Sequence, residues 1–189
     1  MKKLFALMSV LFLALALYAE DVAPGSVEKP IKGTVVLVGR VTFKNKIDVS
    51  EQVLALGGKQ RDIDNGTIKY TPCDKFNIMN VSNGNWELEE PFYWTVRVDD
   101  DGTVTIPCFH FVPYNYSSAF FRMPLGVKIH IQEEASYVYI GNFQYDVDYA
   151  LRVLDYNHYD EYDEAQEWIN RATGNKVELY RGELEYLKD

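Results

Sequence analysis

Carboxylates and aromatic rings are mixed along residues 145–164, and these side chains are the first candidates for chemistry in the sequence. Calcium and other hard cations are bound by carboxylate and carbonyl oxygens. A sugar would instead stack on tyrosine rings and donate its hydroxyl hydrogens to the acids. A solvated acidic turn that caps a helix is the alternative interpretation. The candidate ligand or metal residues are Tyr145, Asp146, Asp148, Tyr149, Asp155, Tyr156, His158, Asp160 and Asp163.

The two cysteines, Cys73 and Cys108, each follow a proline, which places each at a strand edge or bend. In an oxidising compartment two cysteines of one compact domain are expected to form a disulfide. Two buried thiols are the alternative. Cys108 and His110 lie two residues apart, so they share one face of a strand. A thiolate–imidazole pair has this spacing, although a disulfide cysteine beside an edge histidine is the favoured interpretation.

Other signatures of catalysis are missing from the sequence. It contains no H-E-x-x-H zinc motif, no G-x-S-x-G nucleophile elbow, no phosphate-binding glycine loop and no C-x-x-C pair. We therefore predict no catalytic residue. Calcium at the acidic segment is the one cofactor that the residues suggest.

Short β-branched and aromatic stretches separated by turn residues predict most of the fold. Residues 33–43 are almost continuously apolar, which predicts a central strand covered on both faces over part of its length, with Gly39 at a bulge or close backbone approach. Residues 92–98 and 103–106 flank an Asp-Gly turn and predict a hairpin. Further strands are predicted at 67–70, 76–81, 108–112, 126–132, 137–145, 151–156 and 177–187, although residues 183–187 could equally be helical.

Helical spacing is clearest near the C-terminus. Ala165, Trp168, Ile169 and Ala172 form one apolar face, which predicts a helix over 162–172 that ends at Gly174. Residues 50–56 are either a short helix or an irregular loop. The predicted fold class is mostly β: a single β-sandwich, transthyretin-like or immunoglobulin-like, with one short α-helix near the C-terminus.

Residues 1–19 have the pattern of a secretory signal peptide. Lys2 and Lys3 precede an apolar run that ends at Ala19, where cleavage is expected. A retained N-terminal anchor is the alternative, and no later stretch is long and apolar enough to span a bilayer. Residues 20–32 are expected to form a flexible leader, and 33–189 a single β-rich domain.

Charge and composition limit the classes of partner that the protein can bind. The chain has a formal net charge of −9 and therefore repels nucleic acid and anionic lipid. Its 14 tyrosines indicate either half-exposed strands or a face that binds a ligand. We expect no nucleic-acid partner and no membrane span once the signal peptide is removed.

The Val-Leu-Val-Gly-Arg core of residues 33–43, together with residues 139–145, resembles small exported β-sandwich proteins of bacterial envelopes, including uncharacterised spirochaete-type lipoproteins. The chain departs from the lipoproteins because no cysteine follows its apolar run. The resemblance implies export and transfers no functional residue.

The sequence favours an exported protein, periplasmic, on the cell surface or secreted, that acts without catalysis. Its sheet edges and amphipathic tyrosines favour binding to another envelope protein or assembly with its own copies. The alternative is a carbohydrate-binding module, with calcium as an aid. A secreted hydrolase ranks third.

Overall fold

The computed structural model describes residues 25–73, 86–115 and 121–187. The predicted signal peptide, part of the leader and the strand predicted at 76–81 lie outside these ranges. No helix within them is long and apolar enough to cross a membrane. The strands are β1 (Thr34–Phe43), β2 (Lys69–Pro72), β3 (Trp86–Glu87), β4 (Pro91–Arg97), β5 (Thr103–Val112), β6 (Phe121–His130), β7 (Tyr137–Val147), β8 (Val153–Tyr159), β9 (Tyr180–Arg181) and β10 (Glu183–Tyr186). The α-helices are α1 (Ser50–Ala55), α2 (Gln60–Asp64) and α3 (Tyr162–Thr173).

Two five-stranded sheets pack face to face. Sheet A has the order β4-β1-β7-β8, with β9 also paired to β7, and sheet B has the order β10-β6-β5-β2-β3. Alternate side chains of each strand point into the space between the sheets. Leu37 and Phe143 of sheet A and Phe109 and Ile129 of sheet B are fully buried there. The predicted β-sandwich is therefore confirmed.

A helix forms a third layer on the outer face of sheet A. Ala165 and Ile169 of α3 pack against Val36 and Val38 of β1. Strand β1 is thus covered on both faces, as its continuous apolar run predicts. The helix itself is also confirmed, and it ends at Gly174, whose left-handed φ of 68° matches a glycine stop. Residues 50–56 contain α1, and α2 is a second short helix that the predicted fold did not include.

The predicted hairpin around the Asp-Gly turn is wrong. The turn exists, because the Asp99 amide donates to the Thr103 carbonyl at 2.8 Å. However, β4 pairs with β1 in sheet A, while β5 pairs with β6 and β2 in sheet B. The turn therefore carries the chain from one sheet to the other. Local alternation looks the same in both arrangements, and only contacts distant in sequence select the partner strand.

Two glycines allow β1 and β7 to approach closely. A Cβ atom at Gly39 would lie 2.7 Å from the Gly141 carbonyl oxygen, which confirms the predicted close approach. The register between the two strands shifts at this point, and Gly141 has a φ of 103° that favours glycine. The shift places Asn142 on the outer face of sheet A, beyond the part that α3 covers.

Candidate functional sites

The tyrosines of the predicted acidic and aromatic segment serve different parts of the molecule. Tyr145 is fully buried between the sheets, and its hydroxyl donates to the Pro124 carbonyl at 3.0 Å. Tyr156 lies between the rings of Tyr145 and Tyr186, with centroids 5.7 and 6.4 Å away. Tyr149 is 84% exposed. These rings therefore do not form one stacking platform.

The carboxylates of the same segment are also separated. Three of them pair with different cations: Asp146 with Lys44 at 2.6 Å, Asp148 with Arg152 at 2.7 Å and Asp160 with Arg181 at 2.8 Å. Hydrogen bonds from the Arg152 backbone and side chain lower the pKa of Asp148. Asp155 accepts a hydrogen bond from the Tyr156 amide, and Asp163 lies in the first turn of α3.

His158 has a structural position rather than a place beside these acids. Its ring stacks on Phe143 at 5.1 Å, and its Nε2 donates to the Ile140 carbonyl at 3.0 Å. Across the ranges that the structure describes, no three acidic side chains converge on one point. Calcium binding by residues 145–163 therefore stays a prediction, and the described residues of this segment do not form a common set of metal ligands.

A polar groove of about 480 Å³ lies on the outer face of sheet A, next to the N-terminus of α3. It forms where the outward-facing side chains of β1 and β7 change from apolar, under the helix, to polar beyond it. We call it the sheet A groove. Its lining residues are Arg40, Thr42, Phe43, Glu89, Asn142, Gln144, Tyr159, Asp160 and Glu161.

Hydrogen bonds hold the floor of the sheet A groove in one arrangement. Glu161 Oε1 accepts from the Arg40 guanidinium at 2.5 Å and from Asn142 Nδ2 at 3.2 Å. Thr42 donates to Asn142 Oδ1 at 3.3 Å, and the Arg40 guanidinium lies 5.2 Å from the Trp168 ring centroid. Fixed donors and acceptors of this kind suit a ligand rich in hydroxyl groups.

Of these groove residues, Tyr159 and Asp160 fall within the acidic and aromatic segment that the sequence singled out, and only Asp160 was among the candidate ligand residues. The signal for the others was available, because Arg40 and Thr42 interrupt an apolar strand at alternate positions. Asn142 and Gln144 do the same in β7. Polar residues with a period of two on a strand that is otherwise buried indicate a local opening in its cover.

A sulfur and imidazole cluster lies on the outer face of sheet B. Cys73 follows β2 and is held opposite β5, because its amide donates to the Cys108 carbonyl at 3.0 Å. Cys73, Cys108 and His110 are each 1% exposed, and their ligand atoms all lie within 4.8 Å of one another. We call these three residues the Cys-His cluster.

The two cysteine sulfurs are in contact but are not bonded. Their separation is 2.9 Å, whereas a disulfide bond is about 2.05 Å long. The structure therefore brings together the two residues predicted to pair, as thiols. The disulfide itself stays a prediction.

Arg122 of β6 adds a positive charge to the Cys-His cluster. Its Nε donates to Cys108 Sγ at 3.2 Å. A hydrogen bond with Cys73, assisted by Arg122, lowers the pKa of Cys108 to about 7. Burial, together with the Arg122 charge, lowers the pKa of His110 and so favours the neutral imidazole. Cysteine sulfur is the donor that soft metal ions prefer, and imidazole binds copper and zinc.

Exposed apolar side chains gather where both sheets end. Strand β8 ends sheet A and β10 ends sheet B, and the contact between Tyr156 and Tyr186 brings the two edges together. We call this region the edge surface. Its most exposed apolar side chains are Tyr149, Leu154, Tyr159, Tyr186 and Leu187.

No protein-family model, curated protein or solved structure significantly matches this chain. The resemblance to exported envelope proteins therefore stays a hypothesis. The groove, the cluster and the edge surface are the basis for the functional proposals.

Proposed function

We propose that this protein is exported and acts without catalysis, by assembling with a second copy of itself through the edge surface. The observation that carries this proposal is the exposure of Leu154 and Tyr149 beside an edge strand, at 65% and 84%. Edge strands offer backbone hydrogen-bonding groups to another chain, and exposed apolar side chains add area to such a contact.

The composition of β8 supports a second copy as the partner. Soluble proteins commonly protect an edge strand with lysine or proline, and β8 contains neither. Antiparallel pairing of two β8 strands centred on Tyr156 would place Asp155 opposite Asn157 of the other copy. That register opposes no two like charges, so the strand is compatible with its own copy around a two-fold axis.

Sedimentation velocity over a range of concentrations tests the assembly. We expect a reversible dimer, and we expect Leu154→Lys to weaken it at least about tenfold by placing a charge in the contact. Ile31→Lys is the matched control, because Ile31 is 76% exposed near the start of β1, at the other end of sheet A. A monomer at every concentration, or equal weakening by both variants, would contradict the proposal.

Export is tested separately by the N-terminus of the protein isolated from its host. Cleavage after Ala19 leaves Glu20 as the first residue, which intact-mass measurement of the envelope or secreted fraction would detect. A chain that keeps its first residues and stays in the cytoplasm would contradict export. That result would leave the dimer proposal standing.

Carbohydrate binding is the second candidate function, and the sheet A groove favours it. Tyr159 is 45% exposed at the rim of the groove, above the fixed polar network of Arg40, Asn142 and Glu161. An aromatic ring beside ordered amide and carboxylate groups is the arrangement that stacks on a sugar and pairs with its hydroxyls.

Thermal unfolding with glucose, mannose, galactose and N-acetylglucosamine tests this candidate. A sugar that binds only the folded state raises the Tm in a saturable way. We expect Tyr159→Ala and Gln144→Ala to remove that rise while they leave the Tm without sugar nearly unchanged. Tyr186→Ala, on the edge surface, is the control. A rise that survives in both groove variants would contradict this site.

A further inference from the structure

We propose that the Cys-His cluster is a binding site for a monovalent soft metal ion, Cu(I), held by the two sulfurs of Cys73 and Cys108 and one nitrogen of His110. This inference is independent of the assembly and carbohydrate proposals. It stands on the donor set, the number of donors, the charge beside them and the position of the cluster.

The donors have the right chemistry and come from a rigid frame. Thiolates select soft ions, and imidazole binds copper and zinc. Cys108 and His110 project from the same face of β5, while Cys73 is held beside them by its backbone hydrogen bond to Cys108. Strand pairing therefore fixes the three side chains near one point before any ion arrives.

The number of donors among the described residues is sufficient for Cu(I). Within the described ranges, three metal-binding side chains converge here. Cu(I) is satisfied by three donors in a plane, whereas zinc takes four ligands, either all from the protein or three with a water. In a trigonal site with bonds of about 2.3 Å, the two sulfurs would stand about 4 Å apart. Their present separation is 2.9 Å, so small χ1 rotations of Cys73 and Cys108 would open the site.

Charge balance favours a monovalent ion. Two thiolates carry two negative charges, and the Arg122 guanidinium in contact with Cys108 compensates one of them. A monovalent ion makes the whole group neutral, whereas a divalent ion leaves a surplus positive charge next to a buried site, where unbalanced charge is costly. Arg122 thus selects between ions without binding either one.

The cluster is buried just beneath the surface of the protein. Its three donors are buried, but Arg122 is exposed, so the sulfur of Cys108 lies one side chain below the surface. The ion and the predicted disulfide use the same two sulfurs and exclude each other. Metal binding therefore requires the reduced protein, and a bound ion would protect both thiols from oxidation.

Competition with the Cu(I) chelator bathocuproine disulfonate, without oxygen, tests the proposal on the reduced full chain. We expect one Cu(I) per chain, and a loss of affinity of at least about 100-fold in Cys73→Ser and in Cys108→Ser. His110→Gln is expected to lose about tenfold or more. His130→Gln is the matched control, because His130 is an exposed histidine on the neighbouring strand β6, and its affinity should equal that of the unchanged protein.

Circular dichroism of each variant separates lost binding from lost folding. If a serine variant fails to fold, a second measurement on the unchanged protein replaces that variant. We then expect one equivalent of Cu(I) to protect both thiols from iodoacetamide. Absence of binding by the folded, reduced chain would overturn the proposal. So would an affinity in the folded Cys73→Ser or Cys108→Ser variant equal to that of the unchanged protein, or a Cys73–Cys108 disulfide that strong reductants cannot open.

Arg122→Gln tests the choice of ion. Removal of the guanidinium makes both thiolates harder to form, and this cost is the same for Cu(I) and Zn(II). The ratio of Cu(I) to Zn(II) affinity therefore reports only the effect of the Arg122 charge on the charge of the bound ion. We expect that ratio to fall about tenfold in Arg122→Gln. Two results would overturn the assignment to a monovalent ion. One is an unchanged ratio in Arg122→Gln. The other is a ratio of Cu(I) to Zn(II) affinity that is lower in the unchanged protein than in a simple dithiol peptide.

Discussion

The outer faces of the two sheets offer opposite kinds of chemistry on the same architecture. Sheet A is covered by α3 over part of its outer face, and next to the helix it opens into a groove lined by oxygen and nitrogen atoms. Sheet B presents two sulfurs and an imidazole that are closed from solvent. In sheet A, Arg40 and Thr42 occupy alternate positions on a strand, and Cys108 and His110 do the same in sheet B.

This difference shows that the burial of a sheet face, more than the alternation of residues along its strands, decides which ligands can reach that face. Arg40 and Glu161 remain partly exposed, at 27% and 23% of their side chains, so a polar ligand can reach them. Cys73 and Cys108 are buried, so only a small ion or a bond between the sulfurs fits there.

Weakening the contact between α3 and sheet A should lower the free energy of unfolding the most. Ile169 is fully buried between α3 and sheet A, so Ile169→Ala should lower the free energy of unfolding by about 3 kcal/mol through lost burial and a cavity. Ile31→Ala makes the same change at a residue that is 76% exposed, and we expect a loss below about 0.5 kcal/mol. Urea unfolding measures both, and equal losses would show that α3 is not an essential cover.

The junction between the covered and open halves of sheet A depends on Gly141. A Cβ atom there would overlap His158 Nε2, and the φ of 103° already disfavours other residues. We expect Gly141→Ala to destabilise the protein by about 3 kcal/mol. Gly102→Ala, at a φ of 75° with open space around its Cβ, should cost only the conformational strain of about 1 kcal/mol.

A double variant separates the two causes at this junction. Gly141→Ala combined with His158→Ala removes the overlap and keeps the backbone strain. Thermal unfolding should show that His158→Ala costs less in the Gly141→Ala background than in the unchanged protein. Simple additivity of the two changes would contradict the overlap.

The floor of the sheet A groove should show measurable coupling. We expect the Arg40–Glu161 pair to have an interaction energy of about 1 kcal/mol in a double-mutant cycle with Arg40→Met and Glu161→Gln, because both side chains are mostly shielded from solvent. The exposed Arg181–Asp160 pair is the control and should give less than about 0.5 kcal/mol. Equal values would mean that the groove does not hold its polar groups rigidly.

The smallest effect concerns the turn that connects the sheets. A hydrogen bond from Lys128, with another from Thr103, lowers the pKa of Asp101 from 3.8 to about 2. A lowered folded-state pKa stabilises the protein above the unfolded value, and this stabilisation is lost as the pH falls from about 4 to about 2. Carboxyl NMR titration should show a higher pKa in Lys128→Met and no change in Lys32→Met.

Much of the fold was predictable because its signals are local. The apolar run of residues 33–43, the spacing of Ala165 and Ile169 and the stop at Gly174 predicted β1 and α3 correctly. The hairpin failed because partner choice is not local: β4 and β5 alternate correctly, yet each pairs with strands elsewhere in the chain.

The candidate sites were predictable only in part. Cys73, Cys108 and His110 attract attention by residue type, and their proximity follows once β2 and β5 pair. The residues of 145–163 attract equal attention, yet the structure distributes them between the core, separate ion pairs and the surface. A dense sequence segment places side chains on both faces of its strands, so closeness in sequence does not produce one site.

The sequence by itself determined the acidic charge, the β-rich composition, the terminal helix and the residue types available for binding, because these depend on identity and short-range periodicity. Tertiary structure alone decided which strand meets which and which polar residues line a groove. It also decided that Arg122 would touch a cysteine fourteen residues away in the chain. Those outcomes depend on the simultaneous burial of apolar faces from distant segments, and no local pattern encodes that requirement.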